Sequence, residues 1–368
     1  MTRILTPDLL FDGNDLLEGM AVAIEGGQIT CITRAAPKGA EHIPGILAPG
    51  FIDLQVNGGG GLMVGAETDA EALAHICAAH CGLGCAGVLP TLITDRAEVT
   101  ASVIEATVQA ARSGTPGLLG LHLEGPHLDP RRAGAHDPAL IRPMQDDDLA
   151  RLCAAARDLP VLMVTLAPES VTPDQIAQLT HAGVLVSLGH SDCSLETARA
   201  GFAAGARLAT HLFNAMSQMA HRAPGLVGAV LSGEAHAGLI ADGVHVDPAA
   251  LAVALRARPS GLFLVSDCMA VAGSDMDSFD LHGRTILRRE GRLTLPDGTL
   301  AGADLRLDRA MQTIAAAGAA PARALAMATS IPAALIGADD RFGHIAAGRR
   351  ADLIVLDHDL TLRGPLAV

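Results

Sequence analysis

Tryptophan and tyrosine are absent from this chain, phenylalanine is sparse, and Lys38 is the only lysine. Without aromatic platforms or a basic run, and with a net charge of −14, the surface is unsuited to stacking on bases or tracking a phosphate backbone, which excludes nucleic acid as a partner. An anionic ligand has to be met by a local group of arginine and histidine working against the overall field. No stretch approaches the roughly 18 uninterrupted apolar residues of a membrane span, and the opening Met1-Thr-Arg-Ile-Leu-Thr-Pro-Asp has no apolar leader core. A soluble, cytoplasmic protein with no membrane partner is expected. The seven cysteines are an odd number without the short, even spacing of a disulfide framework or a CxxC zinc pair, which fits a reducing compartment. Cys77, Cys81 and Cys85 recur every four residues and read as small residues on one buried helix face.

What is present is a large apolar content, 49% of 368 residues, enough for a substantial core. Residues 1–48 carry short β-like pieces, Met20-Ala-Val-Ala-Ile-Glu and Gly26-Gly-Gln-Ile-Thr-Cys-Ile, joined by a Gly-Gly turn signal. From Gly50 the texture changes to eight apolar runs, which begin at Phe51, Gly87, Leu118, Val161, Val184, Ala206, Ala237 and Leu262. Segments of helical length or with a capping residue lie between them, such as Thr94 to Arg112, Gln145 to Arg157, Thr172 to Ala182 and Ser194 to Ala204. Eight strand-plus-helix units predict an α/β chain built as a (β/α)8 TIM-like barrel. An open doubly wound sheet fits the same alternation, but no GxGxxG follows the first strand. Asp304 to Ala317 and Pro321 to Ile336 read as closing helices. The β-like Gly343-His-Ile-Ala-Ala-Gly-Arg-Arg-Ala-Asp-Leu-Ile-Val-Leu-Asp then rejoins the N-terminal module, although the tail after Asp357 is short for a final strand. The expected division is a small discontinuous β-sandwich domain from 1–48 and 341–368 around a hydrolase barrel at 49–340.

Four strings end apolar runs with groups that bind metal or move protons: His122-Leu-Glu124-Gly-Pro, Gly189-His190-Ser, Thr210-His211-Leu and Val265-Ser-Asp267. Singly, each has a bland reading, a core histidine or a helix-capping aspartate. In a parallel barrel, however, the C-terminal ends of all strands face one mouth. Glu124, His190 and His211 would then supply three metal ligands and leave a position for water. Asp267 remains to take a proton from that water and return it to a leaving group.

These residues resemble the amidohydrolase superfamily, and within it the N-acetylglucosamine-6-phosphate deacetylases. The likeness runs from about Pro49 to Gly348. Its strings are Pro49-Gly-Phe-Ile-Asp-Leu-Gln-Val-Asn-Gly, Leu89-Pro-Thr-Leu-Ile-Thr, Leu121-His-Leu-Glu-Gly-Pro, Val164-Thr-Leu-Ala-Pro-Glu, Gly189-His-Ser, Thr210-His-Leu-Phe-Asn-Ala-Met, Ala223-Pro-Gly-Leu-Val-Gly-Ala and Ile240-Ala-Asp-Gly-Val-His-Val-Asp. Where most amidohydrolases carry His-x-His after the first strand, this chain has Gln55-Val-Asn57, two amides that bind metal poorly. The bridging carbamylated lysine of other branches is also missing, because Lys38 lies in the small domain. A single divalent ion per chain follows, and the resemblance implies Zn2+, with Fe2+ as a substitute.

The resemblance also implies the substrate contacts. Ala135 and His136 lie beside the sugar or its acetyl group, with His136 donating to the developing oxyanion. Asn214 and Ala215 bind through the loop after the sixth strand, and Arg222 and His245 meet the phosphate. Asp242 to His245 and the Leu300-Ala301-Gly302 turn complete the pocket wall. This chain departs from the family at His221-Arg-Ala-Pro-Gly, at Ala135, at Ala301 and at Asp304, whose carboxylate would repel a phosphate if it pointed inward. Cys268 reads as a packing residue. The implied activity is hydrolysis of the acetamide of N-acetyl-D-glucosamine 6-phosphate, in amino-sugar catabolism, by a homodimer whose partner chain contributes to the phosphate site. The alternatives are deacetylation of another N-acetylhexosamine phosphate such as the galactosamine epimer, cyclic-amide hydrolysis, or a catalytically silent barrel that binds sugar phosphates.

Overall fold

The eight apolar runs are the eight strands of one parallel sheet in a computed structural model that describes residues 2–34, 37–281 and 283–367. In chain order these are β1 (Phe51–Val56), β2 (Cys85–Ile93), β3 (Leu121–Glu124), β4 (Leu162–Leu166), β5 (Leu185–Leu188), β6 (Leu208–Ala209), β7 (His236–Leu239) and β8 (Leu262–Leu264). Each pairs with its neighbours in sequence. The segment after β8 closes the ring: Asp267 N–H donates to Gln55 O at 3.0 Å, Asn57 N–H donates to Cys268 O at 2.9 Å, and Val56 and Cys268 form a parallel bridge. Every residue of β1 is buried, as expected of a strand covered on both faces.

Helices follow the strands and cover the outside. Their starts obey capping chemistry: Thr172 and Ser194 accept from the amides of Gln175 and Thr197, each at 3.2 Å, and Pro173 takes the first helical position of its helix, where no amide is needed. The expected closing helix over Pro321 to Ile336 is two helices, Pro321–Ala328 and Ser330–Leu335. Pro332 is the cause, because it has no N–H for the carbonyl of Ala328 and its ring crowds that carbonyl. Cys77 and Cys81 lie on the helix Ala70–Gly82, but Cys85 opens β2, so the three do not share one helix face.

A second sheet joins the two chain ends. Its strands are Arg3–Phe11, Leu16–Glu18, Ala21–Glu25, Gln28–Thr33, Glu41–Pro49, Leu353–Leu356 and Leu362–Pro365. Gly26 and Gly27 turn the hairpin at φ 57° and 75°. Leu353–Leu356 pairs antiparallel with Glu41–Pro49 and with Leu362–Pro365, so the tail does supply a last strand. Leu5, Leu10, Val22, Ile29, Leu47 and Leu353 pack in an apolar cluster of their own.

A four-stranded antiparallel sheet was not expected. Ser278–Leu281, Arg284–Arg289, Arg292–Thr294 and Leu300–Ala303 are inserted between β8 and the helix Leu307–Ala316. Phe279, Leu281, Ile286, Leu293 and Ala301 pack with Ile93, Met269 and Val271. Leu300-Ala301-Gly302 is therefore strand rather than turn, with Ala301 inside this cluster.

Candidate active site

At the C-terminal ends of β3, β5, β6 and β8 the chain delivers Glu124, His190, His211 and Asp267 to one place. Glu124 is the last residue of β3, while the other three lie just beyond their strands with left-handed backbones, at φ 46° for His190, 31° for His211 and 49° for Asp267. Non-glycine residues rarely adopt such angles, and here they turn each side chain from the strand direction into the mouth. Gly189 allows the approach, because a Cβ there would lie 2.9 Å from both Thr165 Cγ2 and Thr210 Cβ.

His211 Nε2 lies 3.1 Å from Glu124 Oε1, His190 Nε2 lies 3.3 Å from the same oxygen, and the two imidazole nitrogens are 3.1 Å apart. Tetrahedral coordination at about 2.0–2.1 Å sets ligand atoms about 3.3–3.4 Å apart, so the triangle fits one small divalent cation. His190 Nδ1 donates to the Arg132 carbonyl at 2.7 Å. That bond places its proton on Nδ1 and leaves Nε2 bare toward the triangle. Among the described residues this is the one group of three or more His, Cys, Asp and Glu side chains converging closely enough to hold an ion.

For Glu124 and His190 the electrostatics favour the deprotonated forms that a metal needs. Burial alone would raise the Glu124 carboxyl, but the three imidazoles around it, His136, His190 and His211, outweigh burial and hold the group well below its ordinary value. Burial keeps His190 neutral, reinforced by the nearby His136, whereas for His211 the bond to Glu124 overcomes burial and raises it. Asp267 is pushed up to about 6, first by burial and then by the charge of Glu124.

Gln55 and Asn57 have a positive role that their poor metal affinity hides. Gln55 Nε2 donates to Glu124 Oε1 at 3.1 Å and to Asp267 Oδ1 at 3.0 Å, and Asn57 Nδ2 donates to the same Asp267 oxygen at 2.8 Å. A neutral amide thus stands between two carboxylates that would otherwise repel each other. Among the described residues, Asn57 Oδ1 and His211 Nδ1 are the buried side-chain atoms without a hydrogen-bond partner. Both belong to residues of this site.

His136 is buried with its ring centroid 4.4 Å from that of His190. The backbone N–H of Thr94 donates to His136 Nδ1 at 3.2 Å. Since a backbone amide can only donate, a neutral His136 must carry its proton on Nε2, which lies 3.6 Å from Glu124 Oε2. Sequence inspection passed over Thr94, although it closes the string Leu89-Pro-Thr-Leu-Ile-Thr.

The remaining expected contacts are dispersed around the mouth. Asp242 accepts from the amides of Val244 and His245 and from His245 Nδ1 at 2.6 Å, which fixes the orientation of that imidazole. Asn214 and Ala215 lie on the loop after β6, and the Ala215 carbonyl accepts from Ser191 N–H. Arg284 donates to the Ala135 carbonyl, tying the inserted sheet to the loop after β3. Leu300 and Gly302 lie on the inserted strand whose Ala303 N–H donates to Asp267 O at 3.0 Å. Arg222 stands exposed on the turn between Ala220 and Ala223 and hydrogen-bonds to none of the residues above among those described. Asp304 does not act as a free carboxylate, because Arg288 Nε and Nη2 hold it bidentately at 2.8 and 2.9 Å. Cys268 is buried with its sulfur 3.6 Å from His80 Nε2, and burial holds its thiol far above its usual value, as suits packing.

A model of the amidohydrolase family matches residues 46–367. A protein of Shewanella sp. (strain ANA-3) named N-acetylgalactosamine-6-phosphate deacetylase is 40% identical over 318 residues, 86% of this chain and 80% of that protein. The N-acetylglucosamine-6-phosphate deacetylase of Haemophilus influenzae is 34% identical over 94% of this chain and 93% of its own length. Among solved structures, a variant of N-acetyl-D-glucosamine-6-phosphate deacetylase from Mycobacterium smegmatis, in complex with N-acetyl-D-glucosamine-6-phosphate, superposes with a TM-score of 0.91 at 31% identity, over 99% of this chain and 97% of that one.

Proposed function

Because the chain belongs to the amidohydrolase family, we propose that it hydrolyses the acetamide of N-acetyl-D-glucosamine 6-phosphate to acetate and the free amine. The observation that carries this reading is the Glu124, His190 and His211 triangle beside Asp267. Glu124, His190 and His211 hold one divalent ion, zinc by preference with iron(II) as substitute. When bound, such an ion supplies a Lewis acid that polarises the amide carbonyl and acidifies the attacking water.

The rest of the chemistry falls to side chains of the chain. His136, with its proton on Nε2, donates to the oxygen that gains charge. Asp267 takes the proton of the water and passes it to the amide nitrogen, since an amine leaves only once protonated. Gln55 and Asn57 hold Asp267 Oδ1, which leaves Oδ2 for the proton. His245 Nε2 and Arg222 meet the phosphate, Arg222 by a movement of its exposed turn or from a second copy of the chain in a homodimer. Ala135, Asn214, Ala215 and Asp242 border the sugar with Leu300 and Gly302, while Ala301 packs behind them.

No helix among the described residues is long and apolar enough to cross a membrane. A phosphorylated sugar substrate and seven free thiols support a cytoplasmic site of action.

The 40% identical Shewanella relative favours a second substrate, N-acetylgalactosamine 6-phosphate. Acetate release from the two epimers, measured side by side with the zinc-loaded protein, tests both. Turnover of the glucosamine epimer is expected. Turnover of only the galactosamine epimer replaces the first substrate with the second, and release from neither refutes the deacetylase reading.

A further inference from the structure

A histidine ligand holds an ion only if a bare ring nitrogen faces it. We infer that the Arg132–Asp192 ion pair positions His190, tying the loop after β3 to the loop after β5 so that the bare Nε2 points at the ion; this rests on the metal site proposed above. His190 Nδ1–H donates to the Arg132 carbonyl at 2.7 Å. The guanidinium of the same Arg132 reaches back to Asp192, two residues beyond His190, with Nε and Nη2 at 2.9 and 2.6 Å from Oδ1. The circle is therefore closed: the peptide that orients the imidazole is anchored, through its own side chain, to the loop that carries the imidazole.

Further bonds brace the circle. Asp129 N–H donates to the His190 carbonyl at 2.9 Å. Arg131 lies 3.3 Å from the other Asp192 oxygen and 3.5 Å from Glu169, which accepts from the Ser191 hydroxyl at 2.8 Å. His190 is held at φ 46°, an angle that persists where surrounding contacts over-determine it.

A carbonyl acceptor on the far ring nitrogen selects the tautomer and the ring orientation of a metal-bound histidine, and such partners affect metal affinity. The Arg132 and Asp192 side chains are themselves 36% and 30% exposed, and an ion pair so placed adds little to folding stability. Its effect is expected at the metal rather than in the melt.

The test titrates Zn2+ into the metal-free, full-length protein in competition with a chromophoric chelator, for the wild type, Asp192→Asn, Arg132→Ala and Arg132→Lys, and melts each metal-free protein. Asp192→Asn and Arg132→Ala are expected to bind zinc about 10–100-fold more weakly, with melting temperatures within about 4 °C of the wild type. Arg132→Lys, which keeps one contact to Asp192, is expected to recover part of the affinity. Wild-type affinity in Asp192→Asn and Arg132→Ala overturns the inference and leaves the metal site standing. Weaker zinc binding matched by a general loss of the metal-free fold overturns it too, as a purely structural role. A wild type that binds no zinc refutes the metal site itself, and this inference with it.

Discussion

Asn57 Nδ2 donates to Asp267 Oδ1 across 2.8 Å, joining the end of β1 to the segment that follows β8. The oxygen also accepts from Gln55 at 3.0 Å, so two amides define the direction of one carboxylate. A hydrogen bond to a charged group contributes about 1.5–3 kcal/mol. Asn57→Ala is therefore expected to lower kcat about 10–100-fold with KM little changed, as steady-state kinetics with saturating metal will show. A rise in KM with unchanged kcat contradicts this positioning role.

Replacing the carboxylate separates the proton from the metal. Asp267→Asn keeps the size and the two neighbouring amides but cannot accept a proton. General base loss of this kind lowers turnover by about 10²–10⁴-fold, while metal content and melting temperature stay near those of the wild type. Near-normal acetate release by the variant would remove Asp267 from the mechanism.

Metal analysis is expected to find about one divalent ion per chain, lost in His190→Ala. An ion that binds only the folded chain stabilises it by about 4 kcal/mol at a thousandfold excess over its dissociation constant. Chelation should therefore lower the melting temperature of the wild type and leave that of His190→Ala unmoved. Two tightly held ions per chain contradict the reading of Gln55 and Asn57 as amides in place of ligands.

Away from the mouth, Asp148 gives a test of acid stability. Burial opposes ionisation of its carboxyl, but the Arg142 guanidinium and the Gln145 amide outweigh burial and hold it at about 2, below the ordinary 3.8. Arg142 Nη2 lies 2.7 Å from Asp148 Oδ1. A depressed carboxyl adds stability above its unfolded value, and that stability disappears as pH falls through the folded one. After allowance for solvent screening the contribution is about 1 kcal/mol. Urea unfolding should show Asp148→Asn weaker than the wild type by that amount at pH 7, with the gap closing between pH 4 and pH 2. A constant gap across that range points to lost packing instead.

The barrel strands were legible in the sequence because both of their faces are buried, and such strands appear as largely apolar runs, several of them preceded by glycine. Glu124, His190, His211 and Asp267 were legible for a related reason, since a charged group at the end of an apolar run is conspicuous. The inserted sheet from Ser278 to Ala303 escaped because its strands are half exposed and arginine-rich. Its turn signal was nonetheless present: Glu290 and Gly291, both at positive φ, join paired Arg289 and Arg292, the two-residue turn favoured between twisted strands. Partners such as Thr94, Arg132 and Asp192 were invisible for another reason. Their contacts to His136 and His190 run through the N–H and hydroxyl of one loop threonine, a backbone carbonyl and a loop ion pair, and residue identity alone does not reveal these.

The left-handed backbones at His190, His211 and Asp267 also bear on the history of the chain. At such angles glycine costs the fold less than a histidine or an aspartate, and stability alone would favour it at all three positions. A barrel released from chemistry has no reason to keep two imidazoles and a carboxylate where its own backbone disfavours them. Their presence at all three left-handed positions accords with the chemistry proposed for them rather than with stability alone.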